Sequence, residues 1–526
     1  MKCFCIGIGL EILEKRIALG AFHNAAERFD PPKCYPNTRE AILAKIEAWV
    51  KERPENGECL VLWMYGPAGA GKSAIAQSIA ELCEALLAAS FFFSRTAAGR
   101  NDNSRLVSTI VWQLIQAIPE IRETVLSSLE RDPTILSRTP AVQMQSLIVD
   151  PLNQIPTELL ANRPHLVIID GLDECLPPES QDDVLKFLST SLQRLSARLY
   201  FLIVSRPHTN IRRALTSDPF RSITYTLPLE DDYQSTEDIH HFLTSSFAEI
   251  HTNHVYLPPL WPTTSDIEVL VDKSSGQFIY AATVIRYVAR GRHGHEKRLK
   301  TVLELGSRAN STTPFAVLDA LYLQILQSVG EDVIENVMEI LGALICLKKY
   351  KIVGVGDLEG FFNYRPGELL SIMEDILALV DVPDRSQVVR IYHASLPDFL
   401  LDPTRSLSFF LDPATVYLNL AQHCIKNGTH DYRFPGDRRS RYQNIDVLSE
   451  CISASLFTTK FDEFLLECSI WDCLPAQFTT ILFDESTIQT MLEILQVLVG
   501  TSVFLCISGT QVDRICFSVV QTHRNI

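Results

Sequence analysis

Short apolar runs alternate with helix-period stretches through the first 230 residues of this chain. Runs near Leu60, Ser90, Leu166, Leu199 and Ile223 read as strands, with helical stretches between them. Leu166-Val167-Ile168-Ile169 is continuously apolar, as expected of a strand buried on both faces. This alternation predicts an α/β domain: a parallel sheet with helices on both faces. Ala41, Ile42, Ile46, Trp49 and Val50 make one apolar helix face, with Asn37 expected as its N-cap and Glu40 placed for a capping box. A helix-like run over residues 74–87 follows the first strand. From Thr236 the period is helical. Ile239, Phe242, Leu243 and Phe247 line one face, and the helix begun by Ile267, Leu270 and Val271 stops at Ser274-Ser275-Gly276. Residues 278–288 predict a buried apolar helix, residues 317–347 a further helical unit, and residues 387–392 a strand leading to His393. No repeat of period 20–50 is visible.

The candidate chemistry lies where strands end. Gly66-Pro67-Ala68-Gly69-Ala70-Gly71-Lys72-Ser73 has the spacing of a phosphate-binding loop, set between a strand and a helix that opens at Ala74. Glycines let backbone N–H groups approach phosphate oxygens, and the helix start presents its positive end to the same anion. Lys72 is placed to bridge phosphates, and the Ser73 hydroxyl to ligate Mg²⁺. About a hundred residues later, Leu166-Val167-Ile168-Ile169-Asp170 ends in an acid at the strand edge where open α/β sheets bind ligands. Asp170 is thus a candidate Mg²⁺ residue, and Asp173 and Glu174 add two carboxylates within one turn. A third run ends in Ser205-Arg206-Pro207, from which Arg206 can reach a terminal phosphate; a plain salt-bridging role is the alternative.

Charge and composition narrow the partners. The 526 residues carry a net charge of −16, which argues against nucleic acid or an anionic membrane as a general partner. The basic stretch 286–300 reads as a solvated helix and linker. Thirteen cysteines show no CxxC pair or zinc spacing and read as reduced thiols of a cytoplasmic protein. The apolar segment 494–509 falls short of a bilayer span and reads as a buried helix or strand pair, so no membrane span is expected.

Together these motifs resemble a NACHT-type module of the STAND class of P-loop NTPases, in particular fungal NLR-like proteins of the nephrocystin-3-like N-terminal type. The carrying residues are Cys34-Tyr35-Pro36-Asn37-Thr38-Arg39-Glu40, the loop 66–73, Asp170-Gly171-Leu172-Asp173-Glu174, Ser205-Arg206-Pro207, Gly276-Gln277-Phe278-Ile279-Tyr280-Ala281-Ala282 and Tyr392-His393-Ala394-Ser395-Leu396-Pro397-Asp398-Phe399-Leu400. The resemblance implies an ATP/ADP switch with Mg²⁺, with GTP admitted by the same loop. It further implies self-association on activation, protein signalling partners, and a role in non-self recognition or programmed cell death. It gives Asp173 and Glu174 the task of orienting the attacking water and Arg206 that of sensing the γ-phosphate. Thr38 and Arg39 fall on the adenine side, and His393 on the lid that touches ADP; a satisfied buried histidine is the other reading of His393. The sequence departs from the pattern with Tyr-His-Ala in place of Met-His-Asp, and with Gly276-Gln277-Phe278 where a base-contacting proline is common. The implied division is an N-terminal helix and linker (1–36), the nucleotide-binding α/β domain (37–230), a helical lid (231–310), a winged-helix-like domain (311–405) and a helical tail (406–526). A catalytically idle nucleotide-binding scaffold for protein contacts is the alternative function, and a nucleic-acid motor a third that the acidic charge disfavours.

Overall fold

The computed structural model describes residues 2–428, apart from segments 29–30, 53–58, 96, 161, 197–198, 230–234, 292, 306–314 and 348–353, and two short strands near the C-terminus. Two compact units divide the chain, Met1–Leu318 and Asp319–Ile526.

The first unit is built on five strands: β1 (Val61–Tyr65), β2 (Leu87–Phe92), β3 (Leu166–Asp170), β4 (Tyr200–Ser205) and β5 (Thr224–Pro228). They form one sheet of order β2-β3-β4-β1-β5, and every pairing is parallel. Parallel neighbours require crossovers, so helices cover both faces. Side chains sort by the period of two. Val61, Trp63, Val167, Ile169, Phe201 and Ile203 face one core with helices Leu106–Ala117, Arg122–Arg131 and Glu179–Leu192. Leu62, Met64, Ile168, Leu202 and Val204 face the other, with helices Glu40–Glu52 and Lys72–Leu82. The five apolar runs are these five strands, and the chain has the α/β P-loop NTPase fold.

Two local expectations are corrected. The helix expected over 74–87 stops at Leu82, and β2 begins at Leu87 after a tight turn at Glu84–Leu86. Ala85-Leu86-Leu87-Ala88-Ala89 suits either period, and pairing of Leu87 with Leu166 decides for the strand. Asn37 is not the N-cap either, because Asn37 and Arg39 both have positive φ, 61° and 59°. Arg39 stands at the cap: its carbonyl accepts from Leu43 N–H at 2.9 Å. Its own N–H goes to the Asp238 carboxylate at 3.0 Å, a partner 199 residues away.

The segment before residue 37, expected to be a helix and linker of its own, is packed into the α/β core. Helix Lys2–Glu14 lies along helix Arg122–Arg131, and Leu13, Ile17, Ala18 and Ala21 are buried beneath the sheet's first face. Polar contacts fix the register: Ala18 N–H donates to Thr109 Oγ1 at 2.9 Å, and His23 N–H to Ser90 Oγ at 3.0 Å.

After the sheet, helices Ser235–Asn253, Thr264–Ser274, Phe278–Ala289 and His295–Glu304 pack on one another. The basic stretch around them satisfies helix ends. Arg298 donates to the carbonyls of Val288 at 3.4 Å and His293 at 2.9 Å, and Lys273 Nζ to Val302 O at 3.0 Å. In the second unit, helices Ile334–Cys346, Val355–Phe361 and Glu368–Met373 precede a small antiparallel hairpin of β6 (Val380–Asp381) and β7 (Arg390–Ile391). Arg405 grips Asp319 with two hydrogen bonds, at 3.0 and 2.7 Å. Helix Pro413–Gly428 packs against helix Ile334–Cys346. Beyond it only β8 (Phe504–Cys506) and β9 (Cys516–Ser518), an antiparallel pair, are described, so most of the 494–509 run lies outside the described residues. Among the described residues no helix is long and apolar enough to cross a membrane.

Candidate nucleotide-binding site

The loop leaves β1 at Tyr65 and enters helix Lys72–Leu82. Gly69 and Gly71 hold φ of 79° and 86°, a backbone that L side chains resist. Gly66, Ala68 and Ala70 are buried, Pro67 is exposed, and Lys72, Ser73 and Ala74 on the first helical turn are half-buried. The Lys72 ammonium folds back on its own loop, donating to Gly66 O at 3.0 Å and Pro67 O at 2.8 Å. Burial brings its pKa down to about 8; Asp173 works against that shift and Arg206 adds to it. An anion in the loop would compensate this cation.

Asp170 ends β3, is 4% exposed and accepts a hydrogen bond from Ser73. Its Oδ1 is buried with no hydrogen-bond partner. Burial raises its pKa to about 6, against the influence of Ser73 and Arg28. Gly171, at φ 71°, then turns the chain into Leu172–Glu174. Asp173 Oδ1 accepts the Arg206 N–H at 2.9 Å, and Oδ2 lies 3.3 Å from Arg206 Nε. Glu174 Oε2 accepts the Arg95 N–H at 3.0 Å, and burial, then Asp173, push its carboxyl pKa up. Strand order sets this geometry. β4, which ends in Ser205 and leads to Arg206, runs between the loop strand β1 and the acid strand β3. The Trp63 indole fastens β1 to it by donating to Ser205 Oγ at 3.0 Å.

Among the described residues no three ligating side chains cluster as a ready metal cage. Ser73 beside an orphaned carboxylate oxygen of Asp170 nonetheless fits Mg²⁺, a hard cation that takes oxygen ligands, and these two residues would hold it.

The far side of the loop is closed by the segment around Arg39 and by a helix start. Arg39 Nη2 donates to Ala70 O at 3.1 Å, and its guanidinium lies 4.8 Å from the Phe278 ring centroid. Thr38 is buried, its hydroxyl donating to Tyr35 O at 2.6 Å. Helix Phe278–Ala289 meets the loop head-on: Ile279 N–H donates to Gly69 O at 3.4 Å. A Cβ on Gly69 would stand 2.3 Å from Ile279 Cγ2. Thus the loop, Asp170, Asp173, Glu174, Arg206, Thr38 and Arg39 all belong to the first unit. His393 belongs to the second. It is half-buried there, and its Nδ1 accepts the Ser395 N–H at 3.0 Å and lies 2.7 Å from Ser395 Oγ.

Sequence reasoning passed over Asp238, the clamp on Arg39, and Arg28. The Arg28 guanidinium stacks 3.6 Å from the Phe92 ring centroid. Its Nη1 donates to Gln77 Oε1 at 2.9 Å and to the carbonyls of Phe22 and His23 at 3.3 and 3.2 Å. Burial lowers its pKa to about 10, and the charge of Asp170 opposes that shift. The available signal was weak: Gln77 lies four residues after Ser73, on the same helix face.

Residues 37–206 match the family described as nephrocystin 3, N-terminal. No curated protein matches the chain. Two solved structures are similar at low superposition. A point mutant of Thermotoga maritima RuvB is 14% identical over 67% of this chain and 92% of its own, with a TM-score of 0.28. Drosophila ORC bound to DNA is 13% identical over 75% of this chain and 90% of its own, also at 0.28.

Proposed function

We propose that this protein is an ATP/ADP-dependent molecular switch of the NLR-like signalling type, with slow hydrolysis. The observation that carries it is the convergence of Lys72, Ser73, Asp170 and Arg206 at one edge of the sheet, under a helix seated on Gly69. In this reading the loop amides and Lys72 hold the β- and γ-phosphates. Lys72 exchanges its two loop carbonyls for them. Ser73 and Asp170 hold Mg²⁺, which when bound neutralises phosphate charge. Arg206, now on Asp173, turns toward a γ-phosphate when one is present, and its release frees Asp173. Glu174 orients the attacking water, its second carboxylate oxygen held by the Arg95 N–H. The helix on Gly69 and the Arg39 clamp register which nucleotide lies beneath them. A swing between states from 1:99 to 99:1 requires about 5.5 kcal/mol of differential nucleotide preference. The output is self-association and engagement of protein signalling partners, in a fungal setting non-self recognition or programmed cell death.

An idle scaffold is the second reading, favoured by the internal pairing of Arg206 with Asp173 and of Lys72 with its loop. Lys72→Ala tests the nucleotide site on which both readings rest. The switch requires loss of at least about 1.4 kcal/mol, tenfold in nucleotide affinity, with the fold intact by circular dichroism. Undiminished binding of labelled ATP in this variant would falsify the assignment. Slow turnover that leaves ADP bound supports the switch, and bound nucleotide with no turnover supports the idle scaffold.

A further inference from the structure

The N-terminal segment brings a cation to the magnesium side of the site from outside the 37–206 match. Arg28 is held in two ways: its face lies on Phe92, and its Nη1 donates to Gln77 Oε1 and to the carbonyls of Phe22 and His23. Two of these anchors border the site. Gln77 is one helical turn beyond Ser73, and Phe92 at the end of β2 pairs with Asp170 at the end of β3. The charge of each opposes the burial-driven pKa shift of the other, Asp170 raising that of Arg28 and Arg28 lowering that of Asp170. The Asp170 carboxylate still keeps one oxygen without a hydrogen-bond partner. The guanidinium on the Phe92 ring therefore lies one strand over from the metal acid.

We infer that Arg28 is a positioning residue: a tethered counter-ion to Asp170 that opposes magnesium and so couples metal-nucleotide binding to the seating of the N-terminal segment. Two cations cannot share one carboxylate without mutual repulsion, and a divalent ion on Asp170 acts on Arg28 at short range. Arg28 is rooted in residues 15–28, which also seat Ile17, Ala18 and Ala21 in the core, so weakening its hold loosens that strap. The inference rests on Asp170 being the magnesium residue of the proposed site.

The test uses the full chain and a fluorescent ADP. Affinity is measured first in EDTA, then across a Mg²⁺ titration, for wild type, Arg28→Ala and Arg28→Lys. The alanine variant is expected to reach half its magnesium response at about fivefold lower Mg²⁺, with EDTA affinity unchanged, and the lysine variant to match wild type. In wild type, hydrogen exchange of residues 15–28 should rise with ADP plus Mg²⁺ and stay constant with ADP in EDTA. An unshifted magnesium midpoint in a folded Arg28→Ala protein overturns the inference, and so does flat exchange over 15–28. If that variant does not fold, the wild-type exchange result decides alone. Normal nucleotide binding with flat exchange removes only the role of Arg28, whereas wild type that binds no nucleotide removes the switch as well.

Discussion

Asp170 concentrates the electrostatic tension of the site in a single carboxyl. Its pKa in the folded protein, about 6, stands above the ordinary carboxylate value, so folding takes up a proton between pH 4 and 6. The corresponding stability is complete below the unfolded value and is lost as pH rises through 6. Asp170→Asn should accordingly be more stable than wild type at pH 7.5, on the order of 2 kcal/mol, with the gap closing toward pH 4. Urea midpoints of both proteins at the two pH values check this, and a pH-independent gap would refute it. Asp170 itself was legible because a strand-terminal acid is a local pattern. Arg28 was not, since nothing within its own neighbourhood reports that Phe92 and Gln77 will receive it.

At the scale of elements, the contact of helix Phe278–Ala289 with the phosphate loop makes two requirements on Gly69. Its φ of 79° disfavours any side chain, and Ile279 leaves no room for one. Gly69→Ala is expected to cost about 2–4 kcal/mol, combining backbone strain with overpacking. Ile279→Ala in the same chain should recover the overpacking share and leave the strain of about 1–2 kcal/mol. A double-mutant cycle in urea measures the recovery; strict additivity would show that the helix does not bear on the loop. The strands and the helix types were legible from apolar period. The end of the helix at Leu82 was not, because its apolar run satisfied both periods until a strand 79 residues further on selected one. The cap expected at Asn37 failed for the same reason: the cap is Arg39, whose N–H finds its acceptor in Asp238 from another helix.

For the whole molecule, the N-terminal residues are part of the core rather than an appendage. Deleting residues 1–28 removes Leu13 and Ile17, each contributing roughly 1.5–3 kcal/mol by burial, and uncovers their neighbours. The shortened chain should lose cooperative unfolding and bind a hydrophobic dye; a soluble, sharply melting product would show that the segment is dispensable. The order β2-β3-β4-β1-β5 has a consequence in time as well as in space. β1 and β3 emerge from the ribosome early but have no bond to one another, since the strand that joins them, β4, is made only at residues 200–205. Until then each exposes an unpaired edge, and the corner where Lys72, Asp170 and Arg206 meet does not exist. Nucleotide thus cannot assist the early stages of folding, and the ability to bind it reports that β4 has taken its place between β1 and β3.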